Sequence, residues 1–284
     1  MKTRLQKLTN WARLWRELVE GQEAERRKAV GGAADESDFW QGKASEYDAT
    51  LKRRWAEADP LKGLVASHVD ADTTVLDIGA GPGRWAISLA KRARRVTAVE
   101  PSPAMLDVLT RNLEEEGVDN VDVVEGWWPD VEVATHDISL CSHSMYGCPD
   151  LPAFVARMVA VTRRECFLVL KAPLPDGILA EASNHVWGHP HDCPDFTVAY
   201  NVLMEMGILP NALVDPAPWE PWSSANIEEA LAKMKKHLRL GGSIEYDEYL
   251  RKLLNSHLTF KDGRYIWPKA VRSAMIYWPV YSAQ

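Results

Sequence analysis

Hydrophobic positions in the middle of the chain fall in short runs that are separated by helical patterns. Apolar runs rich in Val, Ile and Leu occupy residues 73–78, 96–99, 121–124, 138–142 and 166–171. Between them, apolar side chains recur at the three-and-four spacing of amphipathic helices over residues 84–93, 103–116 and 151–162. Short apolar runs are typical of strands buried on both faces, and their alternation with helices predicts a parallel, doubly wound sheet.

The two ends of the chain follow other patterns. Residues 4–20 have the spacing of an amphipathic helix, which we expect to act as a lid or as a homodimer contact. A second helix is expected to begin after an N-cap at Ser37 or Asp38 and to carry Phe39, Trp40 and Tyr47. After residue 171 the pattern gives way to a stretch rich in Pro, His, Asp and Trp. Beyond it, we predict helices over 225–239 and 244–255 and a last strand over 274–280.

Composition and charge narrow the class of protein. The chain is 46% hydrophobic and 26% charged, which is ordinary for a packed globular protein. Its net charge of −7 gives no long-range attraction to nucleic acid. No apolar run reaches the ~18 residues that a membrane helix needs, and no cleavable leader is visible, so we expect a cytoplasmic protein without a membrane partner. Four cysteines are too few for a disulfide scaffold of this length.

One glycine-rich turn carries the candidate chemistry. Residues 75–85 read VLDIGAGPGRW, a buried strand that ends in the turn and leads directly into a helix. Glycines let the backbone bend sharply and approach a ligand closely. The spacing is Gly-x-Gly-x-Gly rather than the Gly-x-Gly-x-x-Gly of dinucleotide sites, and Asp77 would repel a pyrophosphate. The turn therefore favours a ligand with an ammonium group and a sulfonium, such as S-adenosylmethionine.

A second acid supports this interpretation. Glu100 ends the next predicted strand, about 20 residues beyond the glycine turn, where an acid accepts hydrogen bonds from ribose hydroxyls. Both acids are expected at strand ends outside the core.

At these residues the chain resembles the class I, Rossmann-like S-adenosylmethionine-dependent methyltransferases, over about residues 37–172. The resemblance implies that the turn glycines cradle the amino acid and ribose parts of the cofactor. It also implies that Asp77 orients that site, that Glu100 binds the ribose and that Tyr47 closes over the methionine end, as in small-molecule members of the family. The cofactor-binding residues that we predict are Tyr47, Asp77, Gly79, Ala80, Gly81, Gly83, Glu100, Pro101, Met105, Gly126, Trp127, Trp128 and Ser142.

The chain departs from the family pattern after the third predicted strand. Members often have Gly-Asp-Ala there, whereas residues 125–130 read EGWWPD. Trp127 is expected to lie against the adenine while its backbone makes the hydrogen bonds. Trp128 has two equally weighted interpretations, a cofactor contact and packing at the rim.

The acceptor is expected beside the residues that follow the fourth predicted strand, which read CSHSMY over 141–146. We predict His143 and Tyr146 as catalytic residues, with His143 as a base or an orienting group; the alternative is a histidine that is hydrogen-bonded at the sheet edge. The Asn-Pro-Pro-Tyr and Asp-Pro-Pro-Tyr motifs of the family's amine methylases are absent, which argues against methylation of nucleobase amines and glutamine amides.

A histidine-rich stretch has residue types that bind metals. His185, His189, His191 and Cys193 match no common zinc spacing, so we predict no metal site. A plain surface loop is the first interpretation, and an acceptor-binding loop is the second.

These patterns predict an α/β fold with a doubly wound, mostly parallel, seven-stranded Rossmann-like sheet. We expect a helical N-terminal lid at 1–60, an S-adenosylmethionine-binding core at 61–172, and a substrate-cap segment at 173–284 that completes the sheet. The predicted function is methyl transfer by direct displacement to a small molecule, with S-adenosylhomocysteine as product. The alternatives are an RNA or protein acceptor, a nucleotide-sugar or NAD-dependent oxidoreductase, and a non-catalytic binding or assembly protein.

Overall fold

A twisted β-sheet forms the centre of the molecule. The structure, a computed structural model, describes residues 9–29, 39–55, 59–174, 176–269 and 271–281. The strands in these residues are β1 Thr74–Ile78, β2 Arg95–Glu100, β3 Val121–Glu125, β4 His136–Ser142, β5 Thr162–Pro173, β6 Asn211–Pro218, β7 Ser223–Ser224, β8 Thr259–Lys261, β9 Arg264–Ile266 and β10 Val271–Pro279.

Seven of these strands make up the main sheet, in the order β3-β2-β1-β4-β5-β10-β6. The pairings β1–β2, β1–β4, β2–β3 and β4–β5 are parallel, whereas β10 runs antiparallel to both β5 and β6. The prediction of a mostly parallel, seven-stranded sheet is therefore confirmed. The carboxyl ends of β1, β2, β4 and β5 lie at one edge of this sheet, which is where such folds bind ligands.

Helices cover both faces of the sheet. They are α1 Trp11–Ala29, α2 Ala44–Trp55, α3 Pro60–Ser67, α4 Arg84–Ala90, α5 Pro103–Glu116, α6 Leu151–Ala160, α7 Ile178–Trp187, α8 Phe196–Glu205, α9 Ile227–His237 and α10 Asp247–His257. One core cluster lies between the sheet and α1, α6 and α8, and a second lies between the sheet and α3, α4 and α5. The predicted N-cap of α5 is present, because the Ser102 hydroxyl accepts a hydrogen bond from the Met105 nitrogen.

The N-terminal helix α1 buries its apolar face within its own chain. Trp15, Leu18 and Val19 are at most 4% exposed, and α1 packs on α8 and α6. The Trp15 indole donates a hydrogen bond to the main-chain oxygen of Cys148 at 2.9 Å. This face is therefore occupied inside the chain, and a homodimer contact through α1 stays a prediction. The predicted joint at 30–34 and the N-caps at Ser37 and Asp38 lie outside the described residues.

The segment after β5 is more regular than its sequence pattern suggests. Helix α7 ends at Gly188, which has a left-handed backbone, and α8 begins after Asp195, whose side chain accepts a hydrogen bond from the Val198 nitrogen. Helices α7, α9 and α10 enclose a smaller core with Trp267. Strands β7, β9 and β8 form a separate small sheet beside it. No helix in the described ranges is long and apolar enough to cross a membrane.

Candidate active site

The glycine turn connects β1 to α4 at the carboxyl edge of the sheet. Gly79, Gly81 and Gly83 have φ angles of 70°, 55° and 93°, in the left-handed region that glycine enters without strain. The main-chain nitrogens of Gly79 and Ala80 donate hydrogen bonds to the Val99 oxygen at 2.8 and 3.0 Å. The end of β2 therefore holds the start of the turn in place.

The three glycines have different surroundings. A Cβ atom at Gly79 would lie 2.2 Å from the Ser144 hydroxyl oxygen, and one at Gly83 would lie 2.5 Å from Cδ1 of Leu109. A Cβ atom at Gly81 would meet no protein atom within 4 Å. Packing inside the protein therefore requires Gly79 and Gly83, whereas Gly81 faces the open space into which a ligand can approach.

Glu100 ties the turn to the strand beside it. Its carboxylate accepts hydrogen bonds from the main-chain nitrogens of Gly81, at 2.8 Å, and Ser102, at 3.0 Å. The side chain is only 5% exposed. Since a carboxylate oxygen can accept more than one hydrogen bond, holding the turn does not by itself prevent Glu100 from binding a ligand hydroxyl.

Asp77 is the most deeply buried acid of the turn, at 1% exposure. Burial raises the pKa of its carboxyl to about 7; the Ala86 N–H group opposes this shift and the negative charge of Glu100 adds to it. Its Oδ2 atom is buried without a hydrogen-bond partner. Both acids thus lie in the interior, contrary to the expectation that they lie outside the core. An unpartnered buried oxygen is rare and costly, and a ligand ammonium group would satisfy it.

The residues predicted beyond β3 differ in exposure. Trp127 is 70% exposed just beyond β3, whereas Trp128 is buried and donates a hydrogen bond from its indole to the Phe154 oxygen at 3.2 Å. The Trp128 ring therefore packs in the core, which favours the second of its two interpretations. The main-chain nitrogen of Gly126 donates a hydrogen bond to the main-chain oxygen of Glu100 at 3.2 Å.

The Tyr47 side chain lies on α2 and is 37% exposed. Its ring packs against Trp40 with the ring centres 4.8 Å apart. Met105 is 1% exposed and packs against Ala44 of α2 and Val108 of α5. Its side chain is therefore part of the core between these two helices. Pro101 leads from β2 into the N-cap of α5, and Ser142 ends β4.

The two predicted catalytic residues, His143 and Tyr146, lie together. His143 has a φ angle of 55°, a strained conformation for a residue with a side chain. Its Nδ1 lies 3.1 Å from the Tyr146 hydroxyl and its Nε2 lies 3.3 Å from the Ser273 hydroxyl. The main-chain nitrogen of Lys171 donates a hydrogen bond to the Tyr146 hydroxyl at 2.7 Å. Strands β4, β5 and β10 therefore converge on one pair of side chains.

The electrostatics keep His143 uncharged. Burial, helped by the positive charges of Arg84 and Lys171 and opposed by Asp59, lowers its pKa to about 4. At neutral pH the imidazole is therefore neutral and has one nitrogen lone pair. Trp219 packs edge-on to the imidazole with the ring centres 5.4 Å apart.

Sequence reasoning missed several residues around this pair. The only local feature that could have identified Lys171 is its position at the end of an apolar run. Ser273 lies in an ordinary strand pattern, which gives no indication that it belongs to the site. Trp219 belongs to a tryptophan-rich segment that indicates a cap, but the pattern does not show that its indole bonds to Ser273 at 3.0 Å. These contacts cross from the cap segment to the core, and local sequence patterns do not encode them.

The histidine-rich stretch does not come together as one cluster. His185 stacks on Tyr249 at 3.7 Å and His191 packs edge-on to Trp11 at 5.4 Å. Instead, possible ligand atoms of Asp192, Cys193 and Asp195 lie within 4.8 Å of one another, all buried. Burial raises the pKa of the Cys193 thiol although the Lys171 ammonium group hydrogen-bonds to it. A protein cation therefore already lies beside these side chains.

Comparison with known proteins agrees with this geometry. Residues 75–165 match the protein family described as "Methyltransferase domain". Over these residues the chain is similar to methyltransferase domains, in agreement with its Rossmann-like sheet. The cofactor of such domains is S-adenosylmethionine, as the sequence predicts.

Individual relatives are more distant. A malonyl-[acyl-carrier protein] O-methyltransferase of Serratia marcescens is 32% identical over 120 residues, which are 42% of this chain and 45% of that protein. An uncharacterized protein of Haemophilus influenzae is 28% identical over 175 residues, 60% of this chain and 59% of that one. The chain thus matches less than two thirds of either relative.

The crystal structure of the YcgJ protein of Bacillus subtilis has a similar fold. It has a TM-score of 0.52 at 17% identity, and the match covers 78% of this chain and 99% of that one. At this identity the similarity concerns the fold alone.

Proposed function

We propose that the chain transfers a methyl group from S-adenosylmethionine to a small-molecule acceptor held under its C-terminal segment. One observation carries the choice of acceptor: Trp219 of the cap segment and Ser273 of β10 close over His143 at the carboxyl end of β4. The imidazole is half-buried there. A half-buried imidazole with a few polar groups converging on it suits a small molecule better than a polymer.

The residues of the turn fit the cofactor. Gly81 leaves space for it, Glu100 has acceptor capacity for the ribose hydroxyls, and the unpartnered Oδ2 of Asp77 suits its ammonium group. When bound, S-adenosylmethionine supplies a methyl group activated by a positively charged sulfur. We expect the adenine to lie against Trp127, which is 70% exposed, and Tyr47, whose ring packs on Trp40, to cover the methionine end.

On the acceptor side the chain's residues bind and orient. Direct displacement needs the acceptor in line with the methyl group and shielded from water. The half-buried His143 and Tyr146, with the exposed Trp219 packed edge-on against the imidazole, are the side chains that we assign to this task. In the tautomer with the proton on Nδ1, His143 donates to the Tyr146 hydroxyl and keeps a lone pair on Nε2. In this tautomer the Ser273 hydroxyl donates to Nε2 at 3.3 Å, which is the longer of the two imidazole contacts, so an acceptor that bears a proton would have to replace Ser273 at Nε2.

The proposal is tested by following a labelled methyl group. The protein is incubated with methyl-labelled S-adenosylmethionine and, separately, with the small-molecule, RNA and protein fractions of a cell extract. We expect label in the small-molecule fraction, and slower transfer by the Glu100→Ala variant at a low concentration of S-adenosylmethionine. Label that enters RNA or protein instead would contradict the choice of acceptor.

A further inference from the structure

A buried asparagine links α2 to the glycine turn. Asn112 of α5 is fully buried, and its side-chain nitrogen donates hydrogen bonds to Oδ1 of Asp48 at 3.0 Å and to the main-chain oxygen of Pro82 at 2.8 Å. A carboxylate and a carbonyl offer only lone pairs, so the amide must turn its NH2 group towards them. One nitrogen atom therefore connects the helix that carries Tyr47 with the centre of the glycine turn.

Apolar packing alone would leave the position of α2 on α5 loosely defined. Ala44 of α2 packs against Met105 and Val108 of α5 in a small cluster of its own. Apolar contacts of this kind are not directional, whereas a hydrogen bond requires a defined distance and angle. The bond from Asn112 to Asp48 therefore sets where α2 lies along α5.

Asp48 is suited to this anchoring role. It is only 3% exposed, and its Oδ2 lies 3.4 Å from Nζ of Lys52 and 3.9 Å from a guanidinium nitrogen of Arg111. Lys52 also pairs with Glu115 of α5 at 2.9 Å. Removal of the Asp48 carboxylate would thus break the link to Asn112 without leaving Lys52 unpaired.

We propose that Asn112 is a positioning residue for cofactor binding, which holds α2 through Asp48 so that Tyr47 stays over the methionine end of S-adenosylmethionine. Tyr47 is the residue next to Asp48 in the chain, so a shift of Asp48 along α5 moves the tyrosine with it. This inference rests on the proposed function, because it presupposes that the cofactor binds at the glycine turn. Loss of the link should therefore weaken ligands that carry the methionine part and spare those that lack it.

Two ligands that differ only in the methionine part test this link. S-adenosylhomocysteine carries the whole amino acid, whereas methylthioadenosine has a methyl group on the sulfur instead. By calorimetric titration, we expect Asp48→Ala to bind S-adenosylhomocysteine about fivefold or more less tightly than the wild type does, with no change for methylthioadenosine. Asp48→Asn, whose side-chain oxygen can still accept the bond from Asn112, should retain most of the affinity for both. Unchanged binding of methylthioadenosine also shows that the turn is intact in the variant.

Two asparagine variants provide a matched comparison. Asn112→Ala releases Pro82 as well as Asp48, so it should weaken the binding of both ligands. The control is Asn120→Ala, which should bind both as the wild type does. Asn120 also donates two hydrogen bonds from its side chain, to the main-chain oxygens of Ala90 and Ala93, but it lies at the amino end of β3.

A double-mutant cycle assigns the effect to Tyr47. If Asp48 acts through the tyrosine, Asp48→Ala should cost little further affinity for S-adenosylhomocysteine once Tyr47→Ala is present. Equal losses for the two ligands in Asp48→Ala, no loss for either, or additive effects of the two substitutions would overturn the inference. Failure of both ligands to bind the wild-type protein would instead count against the proposed function.

Discussion

The carboxylate of Glu100 accepts a hydrogen bond from the main-chain nitrogen of Gly81 at 2.8 Å. The acid that ends β2 and the central glycine of the turn therefore form one structural unit. Because its other oxygen binds the Ser102 nitrogen, the same carboxylate also positions the start of α5. The ribose-binding acid of the sequence prediction is thus also a structural element of the turn.

We expect Glu100→Ala to lower the affinity for S-adenosylmethionine by roughly tenfold or more, because hydrogen bonds to a charged group are lost. The melting temperature should also fall, since two buried main-chain donors lose their acceptor. Calorimetric titration and thermal unfolding measure the two effects. The control is Glu248→Ala, because Glu248 is an acid on the exposed face of α10. Wild-type affinity in Glu100→Ala would show that the acid does not bind the cofactor.

Two substitutions in the glycine turn should have different effects, one on the stability of the protein and the other on cofactor binding. Gly79→Ala introduces a Cβ atom 2.2 Å from the Ser144 hydroxyl at a φ of 70°, so we expect a large loss of stability. Gly81→Ala meets no protein atom, so it should cost only the left-handed strain, about 1 kcal/mol, while blocking the ligand. Urea unfolding and cofactor titration of both variants test this.

A partial rescue provides the control for Gly79→Ala. The double variant Gly79→Ala, Ser144→Gly removes the colliding side chain and should recover part of the lost stability. Equal stability of the two single variants, or wild-type cofactor affinity in Gly81→Ala, would contradict the assignment of Gly81 to the ligand side.

Asp77 should make cofactor binding depend on pH. Its pKa is about 7 because of burial, and an ammonium group binds the ionised carboxylate better. We expect the affinity for S-adenosylmethionine to rise between pH 6 and 8. The control is Asp77→Asn, because asparagine has no ionisable group. Any pH dependence of the affinity that remains in this variant comes from the ligand or from other residues. The same pH slope in both proteins would contradict the role of Asp77.

Asp77 also predicts a trend in stability. Because the pKa of Asp77 in the folded protein, about 7, lies above its ordinary value of 3.8, the folded state binds the proton more tightly than the unfolded state. This contribution to the free energy of unfolding is therefore complete below pH 3.8 and is lost as the pH rises to about 7. Urea unfolding should show the wild type losing stability over this range relative to Asp77→Asn. A difference that does not change with pH would contradict the raised pKa.

His143 should remain neutral well below physiological pH. Its lowered pKa, about 4, follows from burial and from the charges of Arg84 and Lys171. Nitrogen-15 NMR of the imidazole should show a neutral ring from pH 8 to 5, and His143→Asn identifies its signal. Titration near pH 6.5 would contradict the described environment. Once an acceptor is known, His143→Ala should slow turnover with nearly unchanged cofactor affinity.

Much of the core could be predicted from sequence because its signals are local. The start and end of α5 match the prediction, since Ser102, Pro103 and Gly117 mark both ends within the chain's own sequence. The apolar run before the glycine turn likewise predicts β1 closely. Burial of Asp77 and Glu100 was not foreseen, because it depends on elements that pack over the strand ends.

The acceptor side could not be predicted to the same depth. Helices α7 and α8 lie in a stretch where Pro and His interrupt the apolar spacing, and their caps at Gly188 and Asp195 were the available signals. The contacts of His143 with Ser273 and Trp219 join residues far apart in the chain. Such contacts depend on the order of strands in the sheet, which the local pattern does not specify.

The most direct test of the account is calorimetric titration of the purified protein with S-adenosylmethionine, S-adenosylhomocysteine and NAD. The account predicts that the first two bind at micromolar concentrations and that NAD does not, since the buried carboxylate of Asp77 suits an ammonium group and repels a pyrophosphate. Binding of NAD, or no binding of either adenosyl compound, would contradict it.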